Sequence, residues 1–311
     1  MGLCAWCFPM KISVSYKGIF FMLLAAFGFS VMGGAAKALK GSFNAGQLVF
    51  YRNAVGLLII LLSFTQKSTP NKGGKFGWLL FRGLMGTIAL YTLLYCILHI
   101  PLGTAMSYNL TSALFIALFS FILWRNYTGK IVLASLAIGF VGMLLIYKPN
   151  MNLHWHYHAA GLISGITSTL AYLTVGKLTH YYHPRTIVLS FVLTGVLVPI
   201  LLSIIRIAFS LQTDDLFFNA LKWPAANEIG WILLLGLSAL FGQYFVTRAY
   251  GAEKAEIVAV FGYANIIFSV FIGMLLGDSF PDIMSWAGIL CIISSGVLIS
   301  LVKKGAQKSA D

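Results

Sequence analysis

The stretch Ile100–Trp124, IPLGTAMSYNLTSALFIALFSFILW, decides the fold. It carries no formal charge, and Arg125 follows directly. As a helix it is long enough to cross the ~30 Å hydrocarbon core of a bilayer. Its first half nevertheless holds Thr104, Ser107, Tyr108, Asn109, Thr111 and Ser112. A helix that faces only lipid has no use for so many polar groups, so one face looks at protein or at a cavity. The chain uses this layout twice. Ala252–Gly277, AEKAEIVAVFGYANIIFSVFIGMLLG, also opens on small and polar residues and closes on aliphatic and aromatic ones.

Outward from these two stretches the composition is uniform. Of 311 residues, 59% are hydrophobic and 9% charged, with a mean hydropathy of +0.88. Soluble domains carry about 25% charged residues. The apolar residues come in runs long enough to span, which predicts an all-α, polytopic membrane protein. Ten spans can be drawn: Gly18–Leu39, Ala45–Phe64, Phe76–Leu98, Pro101–Leu123, Lys130–Tyr147, Ala159–Leu178, Pro184–Phe209, Glu228–Tyr250, Ala255–Leu276 and Met284–Val302. The wetter connection KPNMNLHWHYH, Lys148–His158, is the seam between two halves.

The halves match. RGLMGTIALYTLLY (Arg82–Tyr95) lies over LLGLSALFGQYFVTR (Leu234–Arg248) at an offset of 153, bringing Gly83 onto Gly236 and Tyr91 onto Tyr244. Each half holds an odd number of spans, so the second enters the membrane from the opposite side. The expected organisation is an N-terminal segment 1–17, a first five-helix repeat 18–150, a linker 151–158, a second inverted repeat 159–302 and a tail 303–311. Inverted repeats place a transport site at their interface near the midplane. With both termini cytoplasmic, fifteen of the 21 Lys and Arg residues fall inside, Arg82 and Arg125 among them. Five fall outside and Arg52 lies within a span. The positive-inside rule therefore favours cytoplasmic termini.

Several function classes lose support. The net charge of +13 sits at span ends and forms no basic stripe with interleaved aromatics, so no nucleic-acid partner is expected. Cys4 and Cys7 form a CxxC without the further ligands a structural zinc site needs; Cys96 and Cys291 read as packing residues. His154, His156 and His158 form an HxHxH in an outer loop, read as interfacial rather than metal-binding. No metal site, cofactor, catalytic residue or Walker A pattern is expected. The leader MGLCAWCFP is no convincing signal peptide, and MKISVSYKG from Met10 is a more usual start. No Asp or Glu occurs from Met1 to Thr213, and none lies mid-span in either half. The carboxylate proton relay of many pumps is therefore missing.

The chain resembles the drug/metabolite transporter superfamily, of the ten-helix EamA type. The residues that carry the resemblance are Arg52 in FYRNAVG, RGLMG with YTLLYCILHIPLGTAMSYNLTSALFIAL, and GLSALFGQYFVTRAYGAEKAEIVAVFGYANIIFS. Gly277–Asp278 and the last helix AGILCIISSGVLI complete the pattern. Arg125 departs from it, since many members carry an acidic residue there. The resemblance implies two inverted repeats around a central cavity lined mainly by spans 1, 3, 4, 6, 8 and 9. It also implies transport of a small metabolite, with amino-acid-like and S-adenosylmethionine-like solutes both fitting.

The candidate lining is uncharged. Thr87, Tyr91 and Tyr95 are spaced to share one face of the third span. Gln243 and Tyr244 occupy the matching place in the eighth. Asn109 is the deepest amide of the first half, with Tyr263 and Asn265 near the equivalent depth in the second. Tyr172 shares a face with Ser164 and Ser168, although those serines also suit close helix packing. Arg52 is either a structural element bonded to carbonyls or a contact for an anionic group. These residues suit a small neutral, zwitterionic or aromatic metabolite. The reading is a secondary carrier working by alternating access in the cytoplasmic membrane, a monomer or alternatively a dimer. A non-transporting scaffold or an intramembrane enzyme is the other class.

Overall fold

The structure is a computed structural model describing residues 16–66, 71–100, 102–124, 130–147, 154–210, 222–276, 280 and 282–308. The described residues form twelve helices and no strand, apart from one isolated bridge between Lys40 and Phe43. The first half comprises α1 (Lys17–Ala38), α2 (Ala45–Gln66), α3 (Phe76–His99), α4 (Leu102–Leu110), α5 (Ser112–Trp124) and α6 (Lys130–Tyr147). The second comprises α7 (Trp155–Leu178), α8 (Pro184–Ala208), α9 (Ala226–Ala252), α10 (Ala255–Gly262), α11 (Ala264–Leu275) and α12 (Ile283–Lys308). Cys4, Cys7, Met10 and Arg125 lie outside the described residues.

Seven spans among the described residues are long and apolar enough to cross a membrane. One of them, Ile257–Leu275, runs through α10 and α11. With the shorter apolar segments Lys130–Leu145 and Ile283–Leu298, and with α4–α5, these make up the ten-helix membrane fold. Leu58, Leu62, Leu201, Ile204 and Ile207 point outward and are exposed. Such a band of aliphatic surface is costly in water and natural in lipid.

The packing shows how the halves are related. Beside the contact of α1 with α9 stands that of α3 with α7, and beside α2 with α9 stands α3 with α8. Likewise α1 meets α10 and α4 meets α7. Exchanging each helix for its counterpart in the other half turns the first member of each couple into the second. The contacts of α2 with α8 and of α6 with α12 map onto themselves. That is the signature of a pseudo-two-fold axis between inverted repeats.

Small residues make these crossings close. A Cβ on Gly28 of α1 would lie 3.0 Å from the Ser238 carbonyl of α9, and one on Gly142 of α6 would lie 2.6 Å from the Gly288 carbonyl of α12. Helices in lipid gain little from burying apolar surface, so backbone approach at such positions supplies much of the association.

Two of the ten spans are not continuous helices. The fourth is interrupted at Thr111 and the ninth at Tyr263, near-equivalent places in the two repeats. At the first break Thr111 donates its backbone N–H to the Tyr108 carbonyl at 3.2 Å, and its hydroxyl donates to the same oxygen at 2.6 Å. At the second, the Tyr263 N–H donates to the Val260 carbonyl at 3.2 Å and Ile266 N–H to that of Tyr263 at 3.0 Å. These are i→i+3 bonds, the tighter winding that marks a strained or hinged point within a helix. A further difference concerns the histidines. α7 begins at Trp155 with His154 before it, so His156 and His158 belong to a helix and not to a loop.

Candidate functional site: a cavity between the repeats

The interrupted spans meet the first helices of the opposite repeats at polar clusters. Asn109 of α4 donates through Nδ2 to Ser164 Oγ and Ser168 Oγ of α7, both at 2.9 Å. Asn265 of α11 donates through Nδ2 to the Ala26 carbonyl at 2.9 Å and to Ser30 Oγ at 3.0 Å, both on α1. Ser269 adds a bond to Ser30 at 3.2 Å. An amide in the bilayer interior is costly unless paired, and here each pairs across the boundary between the repeats.

A cavity opens between these two clusters. The space that the centre of a water molecule can reach within it is about 90 Å³, room for several waters. Its wall draws on both repeats and on both interrupted spans. Arg52 of α2, 4% exposed, and Arg82 of α3, 1% exposed, are on that wall. Both guanidinium groups sit over the ring of Phe191 in α8, at 5.2 and 4.8 Å from its centroid. Arg52 donates from Nε to Met32 Sδ at 3.3 Å and from Nη1 to Asn53 Oδ1 at 2.9 Å. Among the described residues Arg82 reaches no acceptor through Nε or Nη1. On the other side Tyr172 and Tyr250 stack at 4.9 Å with their planes 16° apart. Gln243 is also on the wall, its Nε2 without a partner among the described residues.

The structure brings together only part of the candidate set. Asn109, Tyr172, Gln243, Asn265 and Arg52 line the cavity. Tyr91 is 3% exposed within an apolar cluster, and Tyr95 packs with His99 and Tyr157 toward the end of α3. Tyr244 lies beside Phe245 and Arg248. Tyr263 is wholly buried at the break, where a Cβ on Gly139 of α6 would meet its ring at 2.6 Å. None of these four tyrosines is on the cavity wall.

The largest correction is Arg82. Charge counting puts it with the cytoplasmic residues, yet it is among the most buried side chains of the described residues. Its position was a usable signal, since it stands six residues past the start of α3, about 9 Å along the axis. Phe191 lies in no motif, and Tyr250, although it falls within GQYFVTRAYGAEK, has no spacing signal of its own that marks it.

Comparison with known proteins settles the family. The description "EamA-like transporter family" matches residues 16–148. The pseudopaline exporter of Pseudomonas aeruginosa is 32% identical over 298 residues, covering 95% of this chain and all of its own. The chain belongs to the EamA-like transporter family. This EamA-like protein is also 33% identical to an uncharacterized transporter of Helicobacter pylori, over 91% of its length and 94% of the relative's. A riboflavin transporter of Vibrio cholerae is 24% identical over 91% and 93% of the two chains. A solved crystal structure at 14% identity superposes with a TM-score of 0.72, over 94% of this chain and 97% of its own, and shows the fold alone. The EamA-like chain is thus a multi-pass membrane transporter of a small molecule, not an enzyme, and a member of the drug/metabolite transporter superfamily.

Proposed function

We propose that the protein carries a small zwitterionic or aromatic metabolite across the inner membrane by alternating access. The observation that carries this reading is the cavity between two repeats whose packing contacts exchange under a pseudo-two-fold axis. In such a fold, rocking one repeat (18–150) against the other (159–302) opens the site to each side in turn. The stacked rings of Tyr172 and Tyr250 offer planar area with little rotamer entropy to lose, and the amides of Asn109, Gln243 and Asn265 offer donors and acceptors. The names of relatives, an exporter of pseudopaline and a transporter of riboflavin, support an organic solute rather than an inorganic ion.

Both termini face the cytoplasm in this reading. The α2–α3 and α7–α8 connections then lie on one side, and they are bonded to each other: Lys72 N–H donates to the Tyr181 carbonyl at 2.9 Å, and His183 N–H to Asn71 Oδ1 at 2.8 Å. The working unit is a monomer that meets solute and lipid, with no nucleic-acid partner. The test is purified protein in liposomes exposed to a panel of radiolabelled metabolites. Saturable uptake of at least one unaltered solute is expected. Absence of flux for every solute, from protein shown to be folded, would overturn the reading.

A further inference from the structure

We infer that Arg52 and Arg82, gathered over Phe191, form an anion-binding subsite that takes a carboxylate of the transported solute. The inference rests on the central cavity being the transport site and adds the charge of what binds there.

Two guanidinium groups share this wall, and each is more than nine-tenths buried. Arginine stays protonated under all ordinary conditions, so both positions carry full charge. Burying a charge is expensive unless it is paired and hydrogen-bonded. Among the described residues neither arginine has an acidic partner. No Asp or Glu occurs before Asp214, and among the described residues none lines the cavity. The acceptors of Arg52, a thioether and an amide oxygen, are neutral. The Phe191 ring offers each guanidinium a negative face, which attracts a cation without cancelling its charge.

What the wall presents is an excess of donors. Nε and Nη1 of Arg82 and Nε2 of Gln243 are buried without acceptors among the described residues. A carboxylate meets this need: two oxygens, acceptor-only, with a geometry that suits a guanidinium fork. A neutral amide or hydroxyl would satisfy donors and leave the charge uncompensated. Gly86 keeps this part of α3 open. A Cβ there would lie 2.7 Å from the Phe191 ring and would collide with Arg82 Nη1. The arrangement is also asymmetric, because the repeat offset places Leu235 where Arg82 stands in the first half. A charge required only by the architecture would be expected in both copies.

The test reads charge preference directly and needs no knowledge of the solute. Ala171, on the cavity wall, is replaced by Cys in a protein whose four native cysteines are Ala. Modification rates are measured with an anionic sulfonatoethyl methanethiosulfonate and with its cationic trimethylammonium analogue; the sulfonate stands in for a carboxylate. The anionic reagent should be favoured about tenfold relative to its preference for a free thiol in water. Arg82→Gln should abolish most of that preference, and Arg82→Lys should retain it. Ala89→Cys, on the facing helix, serves as a second reporter if the first variant folds poorly. A preference no greater than that for a free thiol in water, or one unmoved by Arg82→Gln and Arg52→Gln, would overturn the anion subsite while leaving the cavity intact. Failure of both reagents at both reporters would instead overturn the water-accessible cavity, and the subsite with it.

Discussion

Asn109 and Asn265 play the same part in the two repeats: each carries an amide beside a helix break and fastens it to the first helix of the other repeat, Asn109 on two serine hydroxyls and Asn265 on a carbonyl and a serine hydroxyl. The carriers of the cavity and the joints between the repeats are therefore the same residues. A side chain that only lined a pocket could be exchanged with little effect on the fold, whereas exchange of either amide removes bonds between the repeats.

Asn109→Ala and Asn265→Ala should each lower stability by about 1 kcal/mol, the scale of an interhelical hydrogen bond in a membrane. The measurement is thermal unfolding in detergent, read beside solute flux in liposomes. Melting points unchanged for both variants would show that the amides do not hold the repeats together.

Backbone approach gives a sharper contrast between two glycines. Gly142→Val drives a side chain into the Gly288 carbonyl, where a Cβ would already sit at 2.6 Å, and should cost about 1–3 kcal/mol. Gly77→Ala meets nothing within 4 Å at the start of α3 and should be neutral or slightly stabilising. Folded yield and melting temperature check both. A Gly142→Val protein as stable as its parent would mean α6 and α12 do not cross this closely.

Much of the architecture is readable from the chain because bilayer physics leaves few alternatives. Run lengths mark the spans, and the offset of 153 marks the duplication within the sequence itself. Helix rotation is another matter. Tyr91 and Tyr95 share a face by spacing, but that face packs against apolar residues and Tyr157 and not against the cavity. An amphipathic stripe tells inside from outside only when the outside is polar, and here the outside is lipid. The breaks at Thr111 and Tyr263 carry no proline, and the i→i+3 bonding that makes them is a tertiary outcome. Arg82 misleads for a related reason: a charge near a span end normally snorkels outward, and only the packing of α3 on α8 turns this one in.

Transport should not need a protonatable carboxylate within the membrane. Glu253 caps α9, and Glu256 lies in α10 near its start. Replacing both with Gln should leave solute exchange in liposomes largely intact. Complete loss of exchange from a folded protein would make the entry of α10 the coupling point.

A reporter enzyme that is active only in the periplasm, fused after Lys308 at the end of α12, should stay silent. Periplasmic activity would reverse the orientation, and with it the side on which the bonded α2–α3 and α7–α8 connections lie.

Acidification should loosen that bonded side. Burial, with Arg185 and then Arg248 nearby, holds the His183 imidazole below its ordinary value of 6.5. Its Nδ1 accepts from Arg185 N–H at 3.3 Å, which requires the neutral ring at that atom. The folded protein therefore binds fewer protons here than the unfolded chain does. The contribution is full above about pH 6.5 and is lost as the pH falls through the lowered folded value. Comparing melting temperatures at pH 7.5 and 5.5 should show a smaller drop for His183→Asn than for the parent. Equal drops would assign the pH dependence elsewhere.

The acid-free wall around Arg52 and Arg82 has an electrical consequence. A carrier that balances its load with a carboxylate proton can move that load without feeling the membrane voltage. Among the described residues no such group lines the cavity, so an organic anion carried through it would keep its own charge. Each 100 mV, negative inside, then does about 2.3 kcal/mol of work on a single charge. That corresponds to a concentration ratio of about 50. The sign of that work is outward, so for an anionic cargo resting voltage alone would make the cavity a route for export.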